Sequence, residues 1–105
     1  MLITPIVAKD HPNYQINLHL RLDEKIALNP VRKAFKKCFY LNDKFSEEAV
    51  SVKIKYSIKG KKIKCRVLFF ENSTKTKELL LKGKADNWKA IDEQIISSIM
   101  KEKRP

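Results

Sequence analysis

The amino-acid sequence predicts an α+β fold, a two-layer sandwich in which a four-stranded mixed sheet carries two helices on one face, in the order β-α-β-β-β-α. Three observations support this prediction. Several segments alternate apolar and polar residues with a period of two, two others repeat apolar residues at helical spacing, and each predicted strand has a single apolar face. A chain of 105 residues is long enough for one core. We therefore expect a single domain over residues 14–105, preceded by an arm or edge strand over residues 1–13.

The first predicted strand of the sheet begins at Tyr14. Its residues alternate between an apolar and a polar side, which is typical of a strand with one buried face. The apolar side comprises Tyr14, Ile16, Leu18, Leu20 and Leu22, and the polar side Gln15, Asn17, His19 and Arg21. Residues 2–9 are apolar enough for an extra strand, but Pro5 lacks an amide hydrogen and would confine that strand to a sheet edge. A surface arm is the alternative.

The first helix is predicted to begin at Asn29 and Pro30, because the Asn side chain can accept an unpaired amide and proline presets the backbone φ angle. Apolar residues then recur at helical spacing, at Val31, Ala34, Phe35, Cys38 and Phe39. The opposite side carries only basic residues, namely Arg32, Lys33, Lys36 and Lys37. A solvated helix side normally mixes both signs of charge, so this side indicates phosphate binding.

A β-hairpin is predicted around Gly60 and Lys61, with strands running from Val50 to Ile58 and from Ile63 to Phe69. Glycine comes first in this two-residue loop, as a type II′ turn requires. The alternation on both strands also fixes the register, because a shift by one residue would set apolar side chains against lysines. The predicted pairs are Ile58 with Ile63, Tyr56 with Cys65, and Ile54 with Val67.

The remaining elements are a polar loop over residues 71–75, a strand over residues 76–84 and a final helix capped by Asp86 or Asn87. Leu79 and Leu81 should face the core. Leu80 should face outward near Leu68 and Phe70, in an apolar patch that we expect the N-terminal segment to cover. The buried side of the last helix should comprise Trp88, Ile91, Ile95 and Ile99. A strand that returns through a helix runs parallel to its predecessor, so only the first two strands of the sheet should be parallel.

The net charge of the chain predicts the chemical class of its binding partner. The chain has 23 Lys and Arg against 12 Asp and Glu, a net charge of +11, which predicts a polyanionic partner. Residues 29–66 hold 12 basic and 3 acidic residues, so most of this charge lies on the first helix and the hairpin. The outward basic residues of the hairpin are additional candidate RNA contacts, although lysines on strands also discourage aggregation. They are Lys53, Lys55, Lys62, Lys64 and Arg66.

The sequence argues against several other classes of protein. It lacks a membrane-spanning apolar run and a signal-peptide pattern, so we expect a cytoplasmic protein without a membrane partner. Cys38 and Cys65 fall at apolar positions and are predicted to be reduced core thiols. No metal-ligand spacing, glycine-rich phosphate loop or convergent catalytic set is recognisable. We therefore expect no enzymatic activity, no cofactor, no metal and no small-molecule substrate.

The last segment, KADNWKAIDEQIISSIMKEKR, resembles the terminal helix of the short ribosome hibernation promoting factors, also called ribosome-associated inhibitors. Both have an acidic cap, an aromatic residue, Ala-Ile-Asp and an apolar, then basic helix. The opening of the first helix, NPVRKAF, is similar to the Thr-Pro, apolar, basic and aromatic run of that family. The order of elements over about residues 14–104 also agrees.

This resemblance implies a role in translation regulation during stress. The protein would bind the small ribosomal subunit, with its 16S-type ribosomal RNA and ribosomal proteins, in the decoding channel. It would block binding of messenger RNA and transfer RNA by occupancy. By position, Lys33, Lys36 and Lys37 match the basic side of the family's first helix. Lys89, Lys101, Lys103 and Arg104 match the basic residues of its second helix. We expect these seven residues and Arg32 to bind ribosomal RNA.

Two alternatives remain open. A double-stranded RNA-binding module has a similar α-β-β-β-α core, but it usually carries basic residues where the last helix begins, and this chain has Asp86, Asn87 and a single Lys89 there. The other alternative is a basic adaptor that docks on an acidic protein. Co-sedimentation with ribosomal particles and binding to isolated duplex RNA would separate the three.

Overall fold

The computed structural model describes residues 3–23, 26, 28–42 and 44–102, without the side chains of residues 3, 28–30 and 88. The elements in chain order are β1 (Ile3–Ala8), β2 (His11–Leu22), α1 (Leu28–Cys38), β3 (Phe39–Leu41), β4 (Val50–Lys59), β5 (Lys62–Glu71), β6 (Thr74–Lys84) and α2 (Trp88–Lys101). The predicted basic residues Lys103 and Arg104 lie outside the described residues, as does the predicted burial of the Trp88 side chain.

The sheet has six strands in the order β3-β1-β2-β4-β5-β6. The α+β class is as predicted, but the prediction of four strands is wrong. Strands β2 and β4 are parallel, and every other neighbouring pair is antiparallel. The predicted first strand therefore begins earlier, at His11, and two further strands lie beyond it.

The extra N-terminal strand, β1, lies inside the sheet and not at its edge. Pro5 is paired with Asn17 of β2, and its carbonyl oxygen accepts a hydrogen bond from the backbone amide of Asn42 over 2.9 Å on the other side. The N–H and C=O of a strand residue point the same way, so the missing amide hydrogen of Pro5 faces away from β2. The pairing with β3 runs from Ile6 to Ala8, so Pro5 lies just beyond its end and leaves at most one hydrogen bond, to Asn42, unmade.

The other unexpected strand, β3, begins at Phe39, which was predicted to belong to the first helix. Helix α1 ends at Cys38, and Phe39 pairs with Ala8 across the edge of the sheet. The Cys38 carbonyl accepts a hydrogen bond from the Lys9 amide over 2.9 Å, which links the helix end to the sheet. Phe39 is buried in either arrangement, so its position in the apolar pattern could not distinguish a helix from a strand.

Both helices pack on one face of the sheet. Their apolar residues belong to one core together with the inward residues of the strands, and the main helix contributors are Val31, Phe35, Ile91, Ile95 and Ile99. The Tyr14 hydroxyl donates a hydrogen bond of 2.7 Å to the Ile99 carbonyl, which joins β2 to α2. Asn87 caps α2, since its Oδ1 accepts from the Ala90 amide. By contrast, α1 begins at Leu28, so Asn29 lies inside the first turn and not ahead of it.

The β4–β5 hairpin and the β5–β6 hairpin both close through two-residue turns. The first has the predicted register, with Ile58 opposite Ile63, and Gly60 has a φ of 61°. The second turn is Asn72 and Ser73, both with positive φ, as in a type I′ turn. Strand β6 therefore begins at Thr74, and the predicted polar loop over residues 71–75 is wrong.

The open face of the sheet is not covered by the N-terminal segment, because β1 lies on the far side of β2 from β5. At one end it is approached by the connection between β3 and β4. The Asn17 side chain, which is buried on this face, donates a hydrogen bond of 2.9 Å to the Ser46 carbonyl of that connection. The rest of the open face, towards the β4–β5 turn, is exposed.

Candidate nucleic-acid interface

Helix α1 separates its apolar and basic residues onto two sides. Val31 and Phe35 are buried against the sheet, whereas the four predicted basic residues are all exposed. The separation follows from the spacing, because residues three and four apart share a side of a helix. Arg32, Lys33, Lys36 and Lys37 are thus available to an anionic partner, as predicted from the sequence.

The two helices bring three of the predicted lysines together. Lys33 and Lys37 of α1 and Lys89 of α2 line one groove between the helices, and Glu93 is the exposed acid there. We call these three lysines with Arg32 and Lys36 the helix surface. None of them forms an ion pair with another described residue. Lys101 is exposed at the far end of α2 and does not line this groove.

Arg32 and Lys36 border a second groove, between α1 and the strands β1 and β3. It has a volume of about 330 Å³, and its walls include the rings of Phe35, Phe39 and Tyr40. The basic side of α1 is therefore shared between two grooves rather than facing only one.

Asp92 lines the groove between the helices and is almost fully buried. Its Oδ1 accepts a hydrogen bond of 2.9 Å from the hydroxyl of Tyr56. Burial raises the pKa of the Asp92 carboxyl, and the bond from Tyr56 opposes part of that rise. Burial, together with the nearby carboxylate, also raises the pKa of Tyr56. No sequence pattern indicates this pair, because Asp92 and Glu93 are adjacent and nothing in the pattern shows that only one of them is buried.

The open face of the sheet carries the second set of basic residues. All five predicted hairpin residues, Lys53, Lys55, Lys62, Lys64 and Arg66, are exposed. Further basic residues, which were not among the predicted contacts, are exposed on the same face and at its turn. They are Arg21, Lys59, Lys61, Lys82 and Lys84. The strand period already placed Lys82 and Lys84 on the outward side with Leu80, so that signal could have identified them.

Two of the predicted sheet residues already have partners. Arg66 donates hydrogen bonds to Glu78, which also forms an ion pair with Lys75 over 3.4 Å, and these bonds lower the pKa of Glu78. The Lys53 ammonium lies 4.8 Å from the centre of the Phe70 ring. It also contributes, after burial, to lowering the pKa of His19 on the neighbouring strand. Lys53 and Arg66 are therefore less available to a polyanion than Lys62 and Lys64.

The described part of the chain meets the requirements of neither a metal site nor a membrane-spanning helix. No group of three or more His, Cys, Asp or Glu residues there is arranged to hold a metal ion. No helix in the same ranges is long and apolar enough to cross a membrane. Both cysteines are free, and Cys65 is fully buried, while Cys38 is only half-buried and lines the groove between the helices.

No protein-family model matches the chain, and no curated protein or solved structure is significantly similar to it.

Proposed function

We propose that this protein binds the RNA of the small ribosomal subunit through its helix surface and inhibits translation by occupying the decoding channel. The observation that carries the proposal is the convergence of Lys33, Lys37 and Lys89 on one groove between the two helices. Ammonium groups from two elements can engage successive phosphates of one RNA backbone. The proposal also locates the protein in the cytoplasm, where it would act during stress.

Charge supports RNA as the class of partner. The net charge of +11 is large for 105 residues, and the exposed basic residues of α1 have no acid among them on that helix. Each phosphate contact releases condensed counterions, so about five contacts would make binding strongly dependent on salt. On the open sheet face lysines outnumber aromatic rings, and the Phe70 ring already lies against Lys53. This composition favours contacts to the backbone over stacking on single-stranded bases.

The arrangement of six elements supports the more specific choice of a ribosomal partner. Elements β2, α1, β4, β5, β6 and α2 follow the β-α-β-β-β-α order on which the resemblance to ribosome hibernation factors rests, and β2 is parallel to β4. Helix α1 contains the segment NPVRKAF, and helix α2 lies within the segment KADNWKAIDEQIISSIMKEKR, so the two helices that carry the helix surface coincide with the segments that resemble the family. Strands β1 and β3 have no counterpart in that order.

A ribosome pelleting experiment across a salt series tests the proposal. The wild-type protein should pellet with small subunits, and the bound fraction should fall steeply as salt rises. The variant Lys33→Glu with Lys37→Glu should remain in the supernatant at salt concentrations where the wild type pellets. The control Lys9→Glu with Lys44→Glu makes the same change of net charge at exposed positions that do not line the groove between the helices, and it should pellet almost as the wild type does.

The same experiment, together with a binding measurement on isolated duplex RNA, distinguishes the alternatives. Unchanged pelleting of the Lys33 and Lys37 variant would contradict the proposal. Binding to isolated duplex RNA without enrichment on ribosomal particles would indicate a double-stranded RNA-binding module. Binding to neither would leave an adaptor for an acidic protein.

A further inference from the structure

A group of lysines at one end of the open sheet face lies outside the helix surface, to which the proposed function assigns the ribosomal RNA. We call it the sheet-end cluster, and it comprises Lys59, Lys61, Lys62, Lys64, Lys82 and Lys84. These residues come from β4, β5, β6 and the turn between β4 and β5, and all six are exposed. None of them forms an ion pair with another residue that the structure describes.

The pairing register sets these lysines directly opposite one another. Lys62 lies between Lys59 and Lys84 across three neighbouring strands, and Lys64 lies opposite Lys82. Neighbouring strands are about 4.8 Å apart, and like charges directly opposite one another destabilise a sheet. A bound polyanion would replace this repulsion by attraction.

Protection of an exposed sheet edge does not account for the whole cluster. Lysines on edge strands prevent pairing between molecules, and this explains Lys82 and Lys84 on the edge strand β6. Lys59, Lys62 and Lys64 lie on β4 and β5, which have neighbours on both sides.

Acidic side chains lie mostly elsewhere on this face. Glu78 is bound to Arg66 and Lys75, on the side away from the cluster. Glu47 and Glu48 belong to the opposite end, beside Asn17 and Phe70. Asp23 borders the cluster beside β4, where its carboxylate accepts from the backbone amide of Ile58. The sheet-end cluster is therefore a concentrated and largely unopposed positive charge.

The backbone beneath the cluster is held in place from both sides of the turn. Gly60 closes the hairpin with a positive φ, and the Ala85 amide donates a hydrogen bond of 2.9 Å to the Lys61 carbonyl, which fastens the end of β6 to the turn. The lysines are thus presented from fixed backbone positions, which reduces the entropy lost on binding.

The cluster and the helix surface lie on opposite faces of the molecule, because the helices cover the other face of the sheet. The shortest dimension of the protein is 24 Å, whereas the major groove of an A-form RNA duplex is deep and too narrow for side chains to read. The protein cannot enter such a groove and contact both walls. A rigid duplex held by one surface therefore leaves the other surface free.

We infer that the sheet-end cluster binds the backbone of a second RNA segment, so that one molecule of this protein bridges two RNA segments held on its opposite faces. This inference rests on the proposed function, since the first segment is the one held by the helix surface. It adds a second site and a second ligand of the same chemical class.

The test uses two short RNA duplexes of identical sequence, one with a donor and one with an acceptor fluorophore. The full-length wild-type protein should produce energy transfer at about one protein molecule for each pair of donor and acceptor duplexes. Excess protein should abolish the transfer, because each duplex then acquires its own protein molecule. The variant Lys62→Glu with Lys84→Glu should lose the transfer and still bind a single duplex, measured by anisotropy, with an affinity on the order of tenfold weaker at most.

The helix-surface variant Lys33→Glu with Lys37→Glu should behave in the same way, and the Lys9→Glu with Lys44→Glu control should retain energy transfer. The milder variant Lys62→Gln with Lys84→Gln provides a second measurement if the charge reversal disturbs folding, and it should weaken the transfer. Undiminished transfer with both sheet variants, or wild-type binding to one duplex without transfer, would overturn the inference. Bridging without ribosome pelleting would contradict the proposed function alone, and pelleting without bridging would contradict this inference alone.

Discussion

The hydroxyl of Tyr56, on the inward side of β4, donates a hydrogen bond to the buried carboxylate of Asp92 on α2 over 2.9 Å. This contact connects the middle of the sheet to the first turns of the helix that supplies Lys89. Because Asp92 also lines the groove between the helices, the bond helps to fix the distance between α2 and the lysines of α1.

Removal of the Tyr56 hydroxyl should destabilise the protein. In Tyr56→Phe the buried Asp92 carboxylate loses its donor, and leaving such a group unsatisfied costs about 1–3 kcal/mol. Denaturant unfolding at neutral pH would measure the loss. The control Tyr40→Phe removes a hydroxyl from an exposed ring and should change the free energy of unfolding far less. Equal effects of the two substitutions would show that the buried bond contributes little.

The raised pKa of Asp92 predicts a pH dependence of stability. A carboxyl whose pKa is higher in the folded than in the unfolded state contributes stability at low pH, and that contribution is lost as the pH rises through the folded pKa. Asp92→Asn keeps an oxygen that can accept from Tyr56 and removes the charge. We therefore expect the free energy of unfolding of the wild type, relative to Asp92→Asn, to decrease from acidic to neutral pH.

Urea unfolding of both proteins at several pH values would measure this difference, and the comparison cancels the titration of groups that the two proteins share. A wild type that gains stability over Asp92→Asn as the pH rises would contradict the burial argument.

The turn at Gly60 should tolerate Asn better than Ala. The φ of Gly60 is 61°, and no atom lies within 4 Å of the position of an added Cβ, so the penalty arises from the backbone alone. A left-handed conformation costs an ordinary residue about 1–2 kcal/mol, and Asn adopts it more readily. Thermal unfolding should rank the wild type above Gly60→Asn, and Gly60→Asn above Gly60→Ala. An Ala variant as stable as the wild type would show that the turn takes another conformation.

The two cysteines should differ in reactivity. Burial raises the pKa of the Cys65 thiol to about 12, and this side chain has no exposed surface, whereas Cys38 is half-buried beside the groove. A thiol reagent should therefore modify one cysteine of the folded protein quickly and the second only on unfolding. Mass spectrometry of peptides would identify the modified residue. Simultaneous modification of both would contradict the burial of Cys65.

The hairpin was the part of the fold that the sequence predicted best. Alternation on both strands and a glycine at the first position of a two-residue loop left one register, and the structure has Ile58 opposite Ile63. Strand β3 could not be predicted in this way. Phe39 fits the apolar side of a helix as well as a strand, and pairing with Ala8, thirty-one positions earlier, decides between them.

The candidate site was predicted in part. Helical spacing alone placed Lys33 and Lys37 on the exposed side of α1. Their meeting with Lys89 depends on how α1 and α2 pack on the sheet, which no local pattern specifies. Likewise, the stacking of Lys59, Lys62 and Lys84 across three strands arises from the combined registers of two hairpins.

A competition measurement on purified small ribosomal subunits tests directly whether the protein occupies the decoding channel. If the protein occupies the decoding channel, subunits saturated with it should fail to bind labelled messenger RNA and transfer RNA. The folded variant Lys33→Glu with Lys37→Glu should leave that binding intact at the same concentration. Wild-type protein and transfer RNA bound together on the same subunits, at full occupancy of both, would contradict the account.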